Sequence, residues 1–305
     1  MKGLLNGERT QRYVNLMMDS GFKAVFADKS NKKLLVGLLN HVLTASVHVR
    51  DIVRYGDRER DADRDGGKKT ILDLICVDDE GRTFSVEVQR RDEEAFFERC
   101  VYYACGLYHI SLDSGKHFDA LRPVHLTAIT SFKCPHEDER LWDTDDIVSR
   151  YRLSEERTGE LGRPTIFVNF VELGRFTKTA KECETERDWL FFWFKHGWEQ
   201  DEAPETNGDQ PFLKSLVEAC EIAEFPLDKR REYDKDMLTE LDIIAQREFA
   251  VKEAEVKAKA EGKAEGIAEG VLSVARNMIK AGMESSTIRS LTGLDEREIM
   301  NLTRE

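Results

Sequence analysis

The sequence predicts an α/β fold with a mixed central sheet flanked by helices, followed by a helical carboxyl-terminal extension. Two β-rich segments lie on either side of an Asp/Glu/Gly turn at residues 78–81, which indicates an antiparallel hairpin. A segment of helical period and then an almost wholly apolar β-rich segment follow, which favours a parallel crossover. Beyond residue 237 the pattern is charged and helical.

Composition limits the classes of protein that need to be considered. The 305 residues can form one large domain, or a medium domain with a small appendage. The formal net charge of -13 argues against a broadly basic surface that coats nucleic acid. A local cluster such as Arg90-Arg91 can coexist with acidic surfaces, so a nuclease is not excluded.

Targeting and redox signals are absent from the pattern. No window approaches the roughly 20 apolar residues of a membrane span, and residues 1–7 lack the longer apolar core of a signal peptide. We therefore expect a cytoplasmic protein without a membrane partner. The six cysteines form no Cys-x-x-Cys pair, which predicts buried reduced thiols rather than a zinc site or disulfides. The seven histidines do not cluster at ligand spacing.

The amino-terminal part is predicted to be helical. Residues 19–26 precede a polar turn, and the apolar residues of 34–42 then recur with helical period. Ser30 or Asn31 is a suitable N-cap for this second helix. Alternation over residues 47–55 predicts the first strand, and the charged run 58–69 predicts a solvated, mobile loop.

The hairpin carries two acids in unusual places. Asp73 lies inside the apolar strand predicted for residues 70–77, and Glu87 lies near the end of its partner, residues 82–89. Period-two alternation places Glu87 and Gln89 on one face. A buried carboxylate costs several kcal/mol unless it is paired or binds a metal, so these acids predict a cation site. An oxygen-rich ligand set suits Mg²⁺ or Mn²⁺ rather than zinc.

The elements after the hairpin alternate between helix and strand. Apolar residues of helical spacing at 92–112 predict a helix that stops before Gly115, and residues 123–130 predict a central strand. Residues 166–171 predict a further strand. The aromatic cluster at 189–194 predicts a helix facing the core, and stacking on nucleic-acid bases is the less favoured alternative.

The carboxyl-terminal part predicts a long helix at 237–259 and a small helical unit at 271–305. Between them, an Ala-Glu-Gly repeat places Gly262, Gly266 and Gly270 in one stripe if it is helical. A helical linker is slightly favoured over a homotypic packing surface. The final unit resembles a helix-turn-helix, with a helix ended by Gly282, a helix capped by Ser285 or Ser286, and a capping box at Asp295 and Glu298. Reading of DNA by its last helix, which carries Arg297, Asn301 and Arg304, competes with roles in helical capping or oligomerisation.

Several of these residues together resemble a known family. They are Asp19, Phe22-Lys23 and Phe26, then Ile71-Leu72-Asp73, Phe84 with Glu87-Val88-Gln89, and Arg99 with Tyr102-Tyr103. In this element order, the pattern resembles the Rpn-type recombination-promoting nuclease and transposase family of the PD-(D/E)XK nuclease superfamily. The resemblance is close over about residues 10–135. It implies a nuclease-like domain at residues 1–245, a repeat linker at 246–270 and a helix-turn-helix-like tail at 271–305.

The resemblance also implies an activity and a site. It implies a Mg²⁺-dependent DNA endonuclease, with Mn²⁺ or Ca²⁺ as possible substitutes, linked to recombination, mobile elements or phage defence. Asp73 matches the metal-binding aspartate and Glu87 the second acid, with the Val88 main-chain carbonyl as a further ligand. Gln89 stands where the family lysine is expected, and glutamine can only hydrogen-bond.

Other residues are expected to support the site. Asp19 and Lys23 fall on the first-helix motif, where Asp19 would be a metal ligand or a helix cap. Arg99, one turn from Tyr103, would contact phosphate or pair structurally with an acid. Arg90 and Arg91 are candidate DNA contacts. The competing function is a nuclease-fold protein that binds DNA or assembles through its carboxyl-terminal helices without hydrolysis, which Gln89 and the acidic net charge favour.

Overall fold

The computed structural model describes residues 11–56, 59–60, 70–71, 73–112, 115–134, 136, 146–205 and 210–304. The chain divides into two compact units, Met1–Met237 and Leu238–Glu305. In chain order, the first unit contains α1 (Asp19–Phe26), α2 (Lys32–Val42), β1 (Ile52–Tyr55), β2 (Glu59–Arg60), β3 (Thr70–Ile71), β4 (Leu74–Asp78), β5 (Thr83–Gln89), α3 (Phe96–Ile110), β6 (Val124–Thr130), β7 (Val148–Arg152), β8 (Ile166–Glu172), α4 (Glu186–His196) and α5 (Pro211–Ala219). Helix α6 (Leu227–Lys280) begins in this unit and continues into the second, where α7 (Ser285–Thr292) and α8 (Glu296–Arg304) follow.

The central sheet is mixed, as the sequence predicts. Its six strands have the order β1-β4-β5-β6-β8-β7, while β2 and β3 form a separate two-stranded sheet. Strands β1, β4 and β5 form an antiparallel meander, and β5, β6 and β8 run parallel. Strand β7, which the sequence analysis does not predict, pairs antiparallel with β8.

The parallel strands end together at one edge of the sheet. Gln89 at the end of β5 is in register with Thr130 of β6, and Thr130 is in register with Glu172 of β8. We call this the carboxyl-terminal edge. Side chains near the end of β5 and residues that follow β6 and β8 are therefore brought to the same side of the molecule.

The first strand of the predicted hairpin is shorter than expected. Thr70 and Ile71 pair with β2 instead, and Asp73 lies at a bend immediately before β4 rather than inside a strand. The reason is that the Val88 N–H donates to the Asp73 carboxylate, at 2.8 Å. A side-chain acceptor thus takes the place of a ladder carbonyl at this point.

Other boundaries also differ from the prediction. The strand expected at 47–55 begins only at Ile52, because the Asn40 side chain accepts from the Val49 N–H and donates to the Val49 carbonyl. Helix α3 ends at Ile110, before Gly115. Asn31 is the N-cap of α2, as one of the two alternatives predicted. Of the predicted loop 58–69, residues 59–60 form β2, and the other positions lie outside the described residues.

The core lies on both faces of the sheet. Helices α1, α2, α4 and α5 contribute to the larger hydrophobic cluster, together with Phe84 and Val86 of β5. Helix α3 contributes Phe96, Cys100 and Ala104 to a second cluster on strands β6 and β8. The aromatic side chains of 189–194 are buried, which confirms packing over base stacking. All six cysteines are free thiols and five are buried, but Cys105 is exposed, contrary to the prediction.

The second unit is helical throughout. Helix α6 is continuous through the Ala-Glu-Gly repeat, so the helices expected at 237–259 and 271–281 belong to one helix. Asp295 and Glu298 exchange the predicted capping-box hydrogen bonds, at 2.7 and 2.8 Å. The N-cap of α7 is Glu284 rather than Ser285 or Ser286, because Glu284 is the last residue with an extended backbone. Across the described residues, no helix is long and apolar enough to span a membrane.

Candidate active site

Asp73 and Glu87 are interlocked at the carboxyl-terminal edge of the sheet. The Asp73 N–H donates to Glu87 Oε1 at 3.1 Å, and the Val88 N–H donates to Asp73 Oδ2 at 2.8 Å. Each carboxylate therefore accepts a main-chain hydrogen bond from the segment that carries the other acid. Both side chains are half-buried. This arrangement orients two carboxylates beside each other without a basic side chain bonded to either of them among the described residues.

Ser85 is a member of this site that the sequence analysis did not single out. Its hydroxyl donates to the Leu74 carbonyl at 3.2 Å and lies 3.4 Å from Glu87 Oε1. Ser85 shares a strand face with Glu87 because the two residues are separated by two positions, so alternation was the signal that could have identified it.

Both acids have raised pKa values, chiefly because they are buried. The pKa of Asp73 is raised to about 6, because burial outweighs the hydrogen bond from Val88 and the nearby Asp19 carboxylate adds to the rise. The pKa of Glu87 is raised well above its usual range, first by burial and then by the charge of Asp73. Like charges in a poorly solvated site disfavour joint ionisation. A bound cation would relieve this repulsion.

Helix α1 brings Asp19 and Lys23 to the acid pair. The Asp19 and Asp73 side chains interact closely enough to affect the pKa of Asp73, and the charge of Lys23 lowers that pKa. Lys23 Nζ forms an ion pair with Asp19 Oδ2 at 2.5 Å. Asp19 is not the helix cap, because the N-cap position is Met18. The structure therefore places both predicted α1 residues at the site.

Gln89 is held by protein groups on both sides of its amide. Its Nε2 donates to the Arg91 carbonyl at 2.8 Å, and Arg99 Nη2 donates to its Oε1 at 2.9 Å. Arg99 also pairs with Glu93, with a distance of 2.6 Å between Nη1 and Oε2. The structural partner of Arg99 is thus Glu93 rather than either site acid, although its charge lowers the pKa of Glu87.

Tyr103 lies near the same site on α3. Burial raises the pKa of its hydroxyl, the charge of Arg99 lowers it and the charge of Glu87 raises it. These effects locate the side chain near both residues. Helix α3 thus presents Arg99 and Tyr103 towards the end of β5 that carries Glu87.

The donor chemistry of the site fits a hard divalent cation. One oxygen of each acid is fixed by a main-chain N–H, and the Asp73 carboxylate also lies within hydrogen-bonding reach of the Asp19 carboxylate. Carboxylate oxygens are the ligands that Mg²⁺ prefers. No group of three or more His, Cys, Asp or Glu side chains in the described part of the chain has metal-binding geometry. The residues present would therefore supply two carboxylate ligands and leave other positions for water or substrate.

The predicted DNA-contacting residues lie in two places. Arg90 and Arg91 follow β5 at the carboxyl-terminal edge, where the Ser131 hydroxyl donates to the Arg90 carbonyl at 2.6 Å. Arg297 and Asn301 are exposed and one turn apart on α8, which belongs to the second unit. Arg304 is the last residue of α8, and its side chain lies outside the described part of the structure.

Comparison with known families agrees with this geometry. Residues 16–250 match the model of the PD-(D/E)XK nuclease family transposase. Residues 268–304 match the carboxyl-terminal HTH domain of the Rpn/YhgA-like nuclease family. No curated protein and no solved structure matches the chain. The first match covers most of the sequence, including every residue of the acid site, and the second covers α7, α8 and the end of α6. The chain therefore belongs to the PD-(D/E)XK nuclease family of transposases, and it carries the HTH domain of Rpn/YhgA-like nucleases at its carboxyl terminus.

Proposed function

We propose that this protein is a metal-dependent DNA endonuclease that hydrolyses phosphodiester bonds. In this proposal Asp73, Glu87 and the Val88 main-chain carbonyl bind Mg²⁺, which Mn²⁺ or Ca²⁺ could replace. The observation that carries the proposal is the interlocked pair of carboxylates, whose pKa values are raised first by burial and then by a neighbouring carboxylate, Asp19 for Asp73 and Asp73 for Glu87. Two such acids in a nuclease family are best explained by a cation between them.

The side chains around the acids have separate roles in this proposal. The ion, when bound, lowers the pKa of a water molecule and neutralises charge on the phosphate. The main-chain hydrogen bonds orient the carboxylates of Asp73 and Glu87 before the ion binds. Gln89 would orient the water, but its amide is already occupied by Arg99 and the Arg91 carbonyl. Lys23 is a second positive group near Asp73 and could supply the charge that Gln89 lacks.

The occupied amide of Gln89 favours a second candidate function. If Gln89 cannot turn towards a water molecule, the protein would bind DNA or assemble on a partner without efficient hydrolysis. Homo-oligomerisation through the carboxyl-terminal helices belongs to this candidate.

We propose the same division of the chain into domains for both candidate functions. We propose a nuclease-like domain at residues 1–245, a helical linker at 246–270 and a DNA-binding tail at 271–305, with Arg297, Asn301 and Arg304 as contacts. A cytoplasmic location and a role in recombination, mobile elements or phage defence are part of the proposal.

Plasmid nicking tests the hydrolytic function. Purified full-length protein is incubated with supercoiled plasmid and Mg²⁺, and open-circular product is measured over time. Asp73→Asn and Glu87→Gln keep the size of each side chain but remove its charge, and we expect each to reduce the rate about 100-fold or more. The matched control is Asp79→Asn, an exposed residue in the turn at the other end of the same hairpin, which should nick at the wild-type rate.

Two results would decide between the candidate functions. Equal nicking by wild type and Asp73→Asn would reject the assignment of the site. Absence of both nicking and calorimetric Mg²⁺ binding in the wild type, with DNA affinity unchanged by Asp73→Asn, would support the non-hydrolytic candidate.

A further inference from the structure

A charged cleft lies at the carboxyl-terminal edge of the sheet, away from the acid pair. Its volume is about 270 Å³. It is lined by residues that follow β6 and β8 and by the first turn of α4. Its charged side chains are those of Lys133, Arg175, Lys178, Arg187, Asp146 and Asp188. Among the described residues, three of these cations are paired with a carboxylate, Arg175 with Glu172, Lys178 with Asp188 and Arg187 with Asp146, and Lys133 is the fourth.

Arg175 is fixed in this cleft by a buried carboxylate. Its Nη1 lies 3.2 Å from Oε1 of Glu172, which is fully buried. Glu172 also accepts from the Cys134 N–H at 2.9 Å and from the Ser149 hydroxyl at 2.7 Å. The side chain of Glu172 is within 2.8 Å of His136 Nε2. Because these bonds tie the segment after β6 to the segment after β8, the two cation-bearing loops are held together.

Arg187, in the first turn of α4, and Lys178, in the segment between β8 and α4, also line the cleft. Arg187 Nη2 pairs with Asp146 at 2.6 Å, and Lys178 pairs with Asp188 at 2.7 Å. The Arg187 Nε atom is buried and has no hydrogen-bond partner in the described part of the chain. The Arg187 guanidinium also lies over the Phe191 ring, at 5.2 Å from its centroid, so the side chain is fixed at the wall of the cleft.

Lys133 adds a positive charge that no described carboxylate neutralises. It is exposed and forms no ion pair with the described residues. Its charge, after burial, contributes to a lowered pKa of Lys195, so a second ammonium group lies nearby. Lys195 Nζ donates to the Phe176 carbonyl at 2.6 Å, at the wall of the same cleft.

The cleft and the acid pair lie at the same edge of the sheet. Lys133 follows the end of β6 and Arg175 follows the end of β8, and both strand ends are in register with Gln89. Two strand spacings separate β5 from β8, which is roughly 10 Å. This distance corresponds to about three nucleotide steps at a rise of about 3.4 Å per strand.

We propose that the cleft lined by Lys133, Arg175, Lys178 and Arg187 binds a backbone phosphate of the nucleic acid, a few nucleotides from the bond that faces Asp73 and Glu87. The inference rests on the proposed function, because it takes nucleic acid as the ligand of the sheet edge. The site positions DNA without reading its sequence, since phosphate contacts carry no base information. It also gives an acidic protein a local means of attracting a polyanion.

The test measures DNA affinity of the full-length protein without hydrolysis. Fluorescence anisotropy with a labelled 20-base-pair duplex in EDTA gives the Kd between 50 and 200 mM NaCl for wild type and Lys133→Gln. Lys133 has no described ion-pair partner, so this variant removes charge without breaking a pair. We expect Kd to rise about eightfold at 0.1 M salt and the slope of log K against log salt to fall by about 0.9. Lys133→Arg should restore both values.

The matched control is Lys116→Gln, an exposed lysine that precedes β6 and therefore belongs to the opposite edge of the sheet. Its Kd should stay within about twofold of the wild-type value, and its slope of log K against log salt should stay within about 0.3 of the wild-type slope. Affinity lost equally in Lys133→Gln and Lys116→Gln would overturn the proposal, as would no change in Lys133→Gln.

A separate arm distinguishes nucleic acid from free phosphate. Inorganic phosphate is titrated into the protein by calorimetry, without DNA. Binding of phosphate that Lys133→Gln abolishes, with DNA affinity unchanged, would reject the nucleic-acid assignment in favour of a small-anion site. The phosphate-binding cleft and the hydrolytic activity can be rejected independently of each other. If Lys133→Gln weakens DNA binding but the wild-type protein does not nick plasmid, the cleft is supported and the nuclease activity is rejected.

Discussion

At the scale of single residues, the two carboxylates that would bind a cation are expected to lower the stability of the protein when no cation is bound. Asp73 and Glu87 are half-buried close together, and their main-chain hydrogen bonds only partly offset the loss of solvation. Sites that must bind a cation commonly lower the stability of the protein before the cation arrives. The cost should therefore be measurable, and it should depend on pH.

Asp73→Asn should stabilise the metal-free protein, and more so at higher pH. The folded-state pKa of Asp73 is about 6, above the ordinary value of about 3.9, so the folded state binds more protons. Asp73 therefore contributes most to the free energy of unfolding of the wild type below about pH 4. This contribution is lost as the pH rises through 6. We expect the variant's advantage in the free energy of unfolding to grow by about 1–2 kcal/mol between pH 5 and 8. Urea denaturation in EDTA at both values measures it.

The control for this experiment is Asp79→Asn, whose advantage over wild type should be the same at pH 5 and pH 8. An advantage of Asp73→Asn that shrinks with rising pH would contradict the assigned direction of the pKa shift. Repeating the measurement at pH 8 with Mg²⁺ should narrow the difference, because only the wild type gains a stabilising ligand.

Gln89 lies where the sequence predicts, but the contacts of its amide group could not be predicted. Alternation predicted that Gln89 would share a face with Glu87, but not that Arg99 would donate to its amide oxygen. Arg99 comes from α3, and this contact depends on how the helix packs on the sheet. Such packing between elements is not encoded in the spacing of a single strand.

At the scale of elements, local patterns predicted the order of the fold well and its boundaries less well. The turn at 78–81, the apolar strand at 124–130 and the helical period of α2 are visible because each satisfies its backbone hydrogen bonds locally or in a simple ladder. The late start of the predicted first strand, at Ile52 rather than at residue 47, was not visible. It depends on the Asn40 side chain, which satisfies the backbone of Val49 from another helix.

The sheet edge shows the same limit. Strand β7 alternates weakly and pairs only with β8, so its sequence has no strong periodic signal. The Glu172 network was also missed, since its partners Cys134, His136, Ser149 and Arg175 are spread over three segments. The acid pair was found because both acids lie within one hairpin. The cleft, built from β6, β8 and α4, could be found only after the sheet order was known.

The Ala-Glu-Gly repeat provides a prediction for helix α6. A Cβ added at Gly262, Gly266 or Gly270 would meet no atom within 4 Å, so alanine fits at each position. Because glycine costs about 1 kcal/mol relative to alanine in a helix, the triple Gly→Ala variant should gain helicity at 222 nm and resist thermal loss of that signal. If the glycine stripe is instead a homotypic interface, the same variant should weaken self-association in sedimentation velocity.

Gly197→Ala is the opposite case, because its Cβ would lie 2.8 Å from the Trp193 ring. We expect Gly197→Ala to lower the thermal stability of the protein, whereas the triple variant should raise the thermal stability of helix α6. Equal loss of helicity in both would show that the repeat is not helical in solution.

At the scale of the whole molecule, the proposed site collects residues from separate elements around one sheet edge. Helix α1 supplies Asp19 and Lys23, the β4–β5 hairpin supplies the acids, and α3 supplies Arg99. The hydrophobic cores follow the same division into parts, since the second unit has its own small cluster of Ala275, Ile288 and Ile299. A sheet with its helices and a small helical tail are therefore stabilised by different sets of side chains.

Substitution in the small cluster should unfold the tail without unfolding the sheet. Ile288 is 1% exposed, and Ile288→Ala should cost about 2–4 kcal/mol, a large fraction of what three buried side chains can contribute. Calorimetry of the full-length protein should show a lower-temperature transition that this variant shifts and a main transition that it leaves in place. Leu38→Ala, in the cluster formed by α1, α2, α4 and α5, should shift the main transition instead. A single transition that moves as a whole in both variants would mean that the two cores unfold cooperatively, and the tail could not then act as a separate DNA-binding module.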